Sequence, residues 1–417
     1  MRKLLAFLAK WLIAPVTLAF VAVFVFLMFI RYPEPFTTYQ LATAAPSAQP
    51  EVFETNEIAA SSEPYLFPES PISESLPETI NHEGTEFETS ELIRDTGTHA
   101  FVIMRDGVIT YEYYSDEWNE SRQQNVMSVG KTMLSIAVGQ LIDDGLVKEN
   151  DAVIDYLPQF ADNPGMEDVT IKHLLDMQSC IDIPEEYPPG PEGWFTPVAQ
   201  LFATTDVEYV LESNISFACE PGSEEYEYRS ANSQLLGMIF KNVTGDSLSD
   251  FFQENIWEPI GANHDASWAI DSEGGYEKAF CCFNASARDL ALVGSLFLDS
   301  GNVTYGPNEG ERVLSENWFG RMTTPAGVWF GGFGSDDFGA GMWHKPKEQL
   351  VSQGYRGQFI WINPYTDTVI VKLSDDFSDY YEQTVSMLDQ ISFGNLKLDF
   401  LVLDFSSGQR WLENLPG

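Results

Sequence analysis

The chain carries little positive charge. Its 417 residues hold 22 Lys and Arg against 63 Asp and Glu, a formal net charge of −41. That balance argues against nucleic acid as a partner and against adhesion to anionic lipid. Histidine is scarce as well. The five present, His82, His99, His173, His264 and His344, form no H-E-x-x-H helix motif, which removes that class of zinc hydrolase. No G-x-S-x-G elbow is present, and no Walker or dinucleotide glycine loop precedes a convincing helix. The four cysteines make no C-x-x-C knuckle. Neither a metal nor a cofactor is expected.

Long apolar runs are also lacking, with one exception. Trp11 to Ile30 is a stretch of 20 uncharged, mostly apolar residues, enough for a helix to cross a bilayer. Arg2, Lys3 and Lys10 precede it; only Arg31 follows closely, and no further base occurs before Arg94. The positive-inside bias predicts a cytoplasmic N-terminus (1–10), a transmembrane anchor (11–31) and a single-pass protein whose remainder lies outside the cell or in the periplasm. A cleaved signal peptide is the rival reading. The run is long for one, and no small-x-small site follows directly.

Residues 32–90 are rich in Pro, Ser, Thr and Glu, and twelve acids with no base lie between Tyr32 and Ile93. Such a segment predicts a self-repelling, extended tether. The clusters around Tyr65 and Phe87 could dock on the folded part. A folded domain is expected over 91–395, followed by a C-terminal extension, 396–417.

What is present is chemistry of another kind. Ser128-Val129-Gly130-Lys131 opens an apolar stretch that ends at Asp143-Asp144-Gly145. Serine and lysine three apart at a helix start share one face. A serine hydroxyl needs a base, and a lysine whose ammonium form is disfavoured by burial can serve as one. The string alone is weak, since S-x-x-K should arise by chance roughly once or twice in a chain of this length. The context is stronger. Met133, Ile136, Ala137, Gln140 and Leu141 fall on one stripe, widened by Leu134 and Val138, so the helix is largely buried.

Around this helix, Ala100–Met104 and Val108–Tyr114 read as a hairpin turning at Arg105-Asp106-Gly107. Residues 150–350 carry mainly helical patterns, such as Ile171–Met177 and Ala287–Val293. Strand patterns resume at Gln358–Ile362 and Thr368–Leu373, and a helix follows from about Tyr380 to Ile391. The fold class is therefore α/β (α+β): an antiparallel sheet built from both ends of the domain and flanked by helices, with a mainly helical region inserted.

Several segments in order resemble the superfamily of serine β-lactamases, penicillin-binding proteins and related esterases. They are His99–Asp106, Val126–Lys131, Val169–Ser179, Pro221–Gly237, Ile260–Trp268, Ala279–Asp289 and Gly354–Pro364. The look is nearest to the 6-aminohexanoate-oligomer hydrolases. The resemblance implies a β-lactamase/transpeptidase-like fold and a nucleophile at Ser128 with Lys131 as its base. In Tyr228-Arg229-Ser230-Ala231-Asn232, followed by Leu235-Leu236-Gly237, Tyr228 matches the tyrosine of the second motif. That tyrosine moves a proton between nucleophile and leaving group. Ser230 stands where lactamases usually carry Asn.

The third motif departs further. Gly354 matches the glycine of K-T-G, which puts Ser352 at the lysine position and Gln353 at the threonine position. The positive charge is missing there, and Lys345 and Lys347 read as surface lysines. By resemblance, the backbone N–H groups of Ser128 and Tyr355 form the oxyanion hole. Tyr187, in the loop from Ile183 to Gly190, is either a pocket-closing residue or a plain surface tyrosine. Trp343, Trp194 and Asp265 are pocket candidates of the same kind, and His264 reads as a structural core residue. Cys281 and Cys282 match a buried stretch of the family. Cys180 and Cys219 fall near the pocket walls by resemblance. They are either disulfide-bonded or two free thiols.

The function expected is a membrane-anchored serine hydrolase. It would cleave a small ester or amide through an acyl-enzyme on Ser128, with Lys131 and Tyr228 moving protons. A D,D-peptidase acting on cell-wall peptides is one alternative; a non-catalytic, surface-displayed scaffold is another. The absent K-T-G lysine and Ser230 favour esterase or amidase activity over penicillin hydrolysis.

Overall fold

Along Thr98–Arg105 successive side chains enter opposite cores. Val102 and Met104 join one apolar cluster, Phe101 and Ile103 the other. This is the period of two expected of a strand buried on both faces. The computed structural model describes residues 13–68, 73–188, 191–223, 227–326, 329–330, 336–376 and 380–394. In it that strand pairs antiparallel with Val108–Tyr114. Asp106 and Gly107, between them, have φ of 47° and 74°, matching the twist of a two-residue hairpin turn.

The hairpin starts an eight-stranded antiparallel sheet. Its spatial order continues through Thr368–Ser374, Gln358–Asn363, Gln349–Gly354, Met342–Lys345, Asp336–Gly339 and Trp329–Phe330. Chain segments from both ends of the domain thus meet in one sheet. Helix Ala287–Ser295 covers one face through Val369, Val371 and Ile360. Helix Tyr381–Ser392 covers the other through Met387, Leu388 and Ile391. Helix Gly130–Asp143 lies on the first face, buried from Gly130 to Gly139 and at Leu141. A smaller sheet orders Thr55–Ile58, Ala266–Ala269, Phe283–Ala285 and Gln124–Asn125.

The region expected to be a tether is largely structured and packed on the domain. Pro35–Thr43 is a helix whose N-cap, Glu34, accepts from the Phe36 and Thr37 N–H groups. Thr55–Ile58 extends the smaller sheet beside Ala266–Ala269, and Ile58 is fully buried. Thr79–His82 pairs with Thr85–Glu88, with Ile80 in the second core. The acids do not simply repel one another, because several have specific work. Glu74 grips Arg105 with both oxygens, each at 2.8 Å. Composition registered the acids but not their partners, which come from distant parts of the chain.

The N-terminal segment is described from residue 13 onward. The helix there, Ala14–Phe29, has 16 residues, about 24 Å at 1.5 Å per residue. The hydrocarbon layer is about 30 Å thick. No helix among the described residues is long and apolar enough to cross a membrane. Residues 1–12, with the expected cytoplasmic terminus and the start of the expected span, lie outside the described residues, as does the expected extension 396–417.

Ile58 separates the tether from the packed arrangement. Ile58→Ala should destabilise the folded protein by about 2–5 kcal/mol in denaturant unfolding. A residue on an extended tether would change stability by less than about 0.5 kcal/mol.

Candidate active site

Ser128 lies in the short 3-10 turn Met127–Val129, which runs directly into helix Gly130–Asp143. Met127 has a φ of 52°, a strained value of the sort that collects at functional sites. Its N–H donates to Asn125 Oδ1 at 2.8 Å, and Asn125 Nδ2 donates to Gln49 Oε1 at 2.7 Å. The N-terminal segment therefore braces the turn that carries the serine.

One turn along the helix, Lys131 is buried, at 3 % exposure. Its Nζ donates to Ser128 Oγ at 3.2 Å, Ser230 Oγ at 3.1 Å and the Phe280 carbonyl at 2.8 Å. Burial favours the uncharged amine and lowers its pKa to about 8, with the Glu185 carboxylate opposing. Tyr228 hydrogen-bonds Ser128, and its ring lies 4.8 Å from Lys131 Nζ. Burial raises the phenol's pKa, and so does the charge of Glu185, so the phenol is protonated across the neutral range. Trp343 stacks on the Tyr228 ring at 5.6 Å, and Phe338 meets it edge-on at 5.8 Å.

Strand Gln349–Gly354 brings the opposite wall. A Cβ at Gly354 would lie 2.3 Å from the Val126 carbonyl oxygen and 3.1 Å from Met127 Cβ. Only glycine fits this approach, and it sets Tyr355 beside the serine turn. Tyr355 is half exposed, with Tyr187 stacked on it at 5.9 Å and an interplanar angle of 21°. The structure thus gathers Ser128, Lys131, Tyr228, Ser230, Gly354, Tyr355, Tyr187 and Trp343 in one place.

A scan against family profiles matches residues 91–385 to the Beta-lactamase family. The chain belongs to that family of β-lactamase-fold hydrolases. The 6-aminohexanoate-dimer hydrolase of Paenarthrobacter ureafaciens is 29% identical over 300 residues, spanning 68% of this chain and 74% of that protein. An uncharacterized protein of Alkalihalophilus pseudofirmus is 31% identical over 262 residues, 57% of this chain and 67% of its own. A Bacillus anthracis structure, provisionally described as a 6-aminohexanoate-dimer hydrolase, superposes with a TM-score of 0.73 at 23% identity. It covers 86% of this chain and 94% of its own.

Other expected positions fall elsewhere. Ser352 Oγ faces helix Gly130–Asp143, 2.6 Å from Thr132 Oγ1, and Gln353 Oε1 accepts from Tyr381. Lys347 is exposed and pairs with Asp389 at 3.1 Å. Lys345, expected at the surface, is instead buried in strand Met342–Lys345, which lies between two other strands of the sheet. Trp194 lies against the N-terminal helices, its carbonyl accepting from Tyr32 at 2.5 Å. Asp265 is exposed and accepts from the Ala60 N–H at 2.8 Å. Neither belongs to the cluster around Ser128. His264 is half-buried and held by Asp289 at 2.9 Å.

Cys180 and Cys219 are joined by a disulfide, with Cα atoms 5.3 Å apart. Cys281 and Cys282, expected simply as core, are buried and also bonded to each other. Glu185 was not singled out from the sequence at all. Its place in a Pro- and Glu-rich loop carries no periodic signal.

Denaturing the oxidised protein in the presence of an alkylating thiol reagent should modify none of the four cysteines. Non-reducing peptide mapping should recover a cross-link between the Cys180 and Cys219 peptides.

Proposed function

We propose that the protein is a serine hydrolase that cleaves a small ester or amide through an acyl-enzyme on Ser128. The observation that carries this reading is the buried Lys131 amine, 3.2 Å from Ser128 Oγ, with Tyr228 hydrogen-bonded to the same serine. In its uncharged form Lys131 accepts the Ser128 proton as Oγ attacks the carbonyl carbon. The backbone N–H groups of Ser128 and Tyr355 receive the tetrahedral oxygen. Tyr228 hands a proton to the departing oxygen or nitrogen and regains one through Lys131. A water molecule then attacks the acyl carbon, and the proton path runs in reverse. The acid is released and the serine restored.

The walls support a short, weakly charged acyl substrate. Tyr187 and Tyr355 supply exposed aromatic surface, Trp343 and Phe338 back the Tyr228 ring from the core, and Ser352 stands where the superfamily motif has lysine. The relative from Paenarthrobacter ureafaciens is named for a dimer of an amino acid, which favours a short amide among the candidates. We also read residues 11–31 as an anchor that holds the hydrolase outside the membrane. Its support is the apolar run itself, together with side chains such as Val16, Leu18, Phe20 and Phe29 that the protein leaves exposed.

A fluorophosphonate probe should label the protein, and Ser128→Ala should abolish that labelling with the fold intact by circular dichroism. A wild-type protein that resists the probe ends the hydrolase reading. Ester turnover should rise with pH as Lys131 loses its proton, with a half-maximum near the value of about 8. Lys131→Ala should lower kcat by about 10²–10⁴-fold. For the anchor, full-length protein should remain with membranes after alkaline carbonate extraction, whereas a chain lacking residues 1–31 should not. Release of both would rule the anchor out.

A further inference from the structure

Helix Ser230–Thr244 carries Ser230 to the Lys131 amine, yet it begins without a side-chain cap of its own. Its N-cap residue is Arg229, which supplies no capping bond and turns its guanidinium to Glu227. The first N–H groups of a helix need acceptors, and the positive end of its dipole favours an anion. Here the acceptor comes from the loop that follows Ile183. The Ser230 N–H donates to Glu185 Oε1. The other carboxylate oxygen accepts from the Tyr187 hydroxyl at 3.0 Å. Tyr187 in turn stacks on Tyr355, the residue after Gly354. One carboxylate therefore joins the helix that carries Ser230, the loop over the pocket and the turn opposite Ser128.

The structure assigns Glu185 as a positioning residue of the active site: it clasps the 183–188 loop to the start of helix Ser230–Thr244 and so seats Tyr187 over the turn at Tyr355. The assignment rests on the proposed hydrolase reading and deepens it. A clasp of this kind restricts where an acyl group can lie, because Tyr187 and Tyr355 then form one continuous aromatic wall. It also places a negative charge where Lys131 feels it. The titratable groups acting at Lys131 are Glu185 from the loop and Tyr228 from the segment before the helix. Residues Phe280 and Ser230 present an uncharged carbonyl and hydroxyl. The Glu185 charge favours the ammonium form of Lys131. Removing that charge must therefore let Lys131 lose its proton at lower pH.

Two variants separate clasp from charge. Glu185→Gln retains the size and one acceptor oxygen but no charge. Its kcat/KM for a p-nitrophenyl ester should keep a near-normal plateau, with the acid limb moved to lower pH by about half a unit. Glu185→Ala removes both bonds and should raise KM about 10-fold. Tyr187→Phe should raise KM in the same direction. The double variant should be no worse than Glu185→Ala, since both changes break one linkage. Glu186→Gln, an exposed neighbour, should match wild type. The assignment is overturned if Glu185→Gln and Glu185→Ala both keep the wild-type limb and KM. It is equally overturned if they lose only melting temperature and rate with the limb unmoved, as a purely structural acid would. Fluorophosphonate labelling of wild-type Ser128 in the same series keeps the outcomes apart. Labelled protein with unmoved variants refutes only the Glu185 role, whereas unlabelled protein refutes the hydrolase and the clasp with it.

Discussion

The structure depends on keeping one amine dry beside one hydroxyl. In water a lysine side chain is protonated at neutral pH and has no lone pair with which to take a proton from serine. Lys131 is enclosed by Ser128, Ser230, the Phe280 carbonyl and the Tyr228 ring. Each neighbour is polar enough to orient the nitrogen, and none of them is an anion that would fix its charge. Burial lowers its pKa and Glu185 partly restores it. The balance leaves a group that can both take and return a proton. Tyr228 is tuned the other way. Burial holds its phenol protonated, so in the proposed reaction it would relay a proton without becoming a lasting charge. A pair tuned oppositely by one environment can divide acid and base work.

Making that enclosure requires the two-faced sheet. Gln349–Gly354 can reach the serine turn because its neighbours, Gln358–Asn363 and Met342–Lys345, hold it inside the sheet. Helix Gly130–Asp143 can present Lys131 from one side because its apolar residues are buried in the first core. The N-terminal region completes the support. Gln49 holds Asn125, and Asn125 holds Met127, the residue before Ser128. Ser47 and His99 both bind Asp375, near the end of strand Thr368–Ser374. A stretch that composition marks as solvent-loving thus acts as a strap, because its few apolar residues and selected acids find matching sites.

The local elements were readable because each carries its own period or turn chemistry. The hairpin at Asp106-Gly107, the alternation in Gln358–Asn363 and Thr368–Ser374, and the apolar stripe after Lys131 all formed where the pattern put them. The cluster around Ser128 was legible through motif spacing and family resemblance. Tyr187 and Glu185 were harder. They occupy a loop without period, and their roles come from partners 45 and more residues away, such as Ser230 and Tyr355. Lys345 shows the same limit. A lysine between His344 and Pro346 reads as exposed until neighbouring strands bury it.

By itself, then, the sequence determined the Ser128–Lys131 spacing, the helix that holds it, the strands of the main sheet and the acidic character of the chain. These are properties of residues close together, where backbone geometry and side-chain periodicity act directly. Only the tertiary structure decided which carbonyl and carboxylate act on Lys131, that Cys281 bonds to Cys282, and that residues 32–68 and 73–88 pack on the domain. Solvation, dipoles and charge depend on what is near in space. A chain declares its neighbours in space only once it has folded.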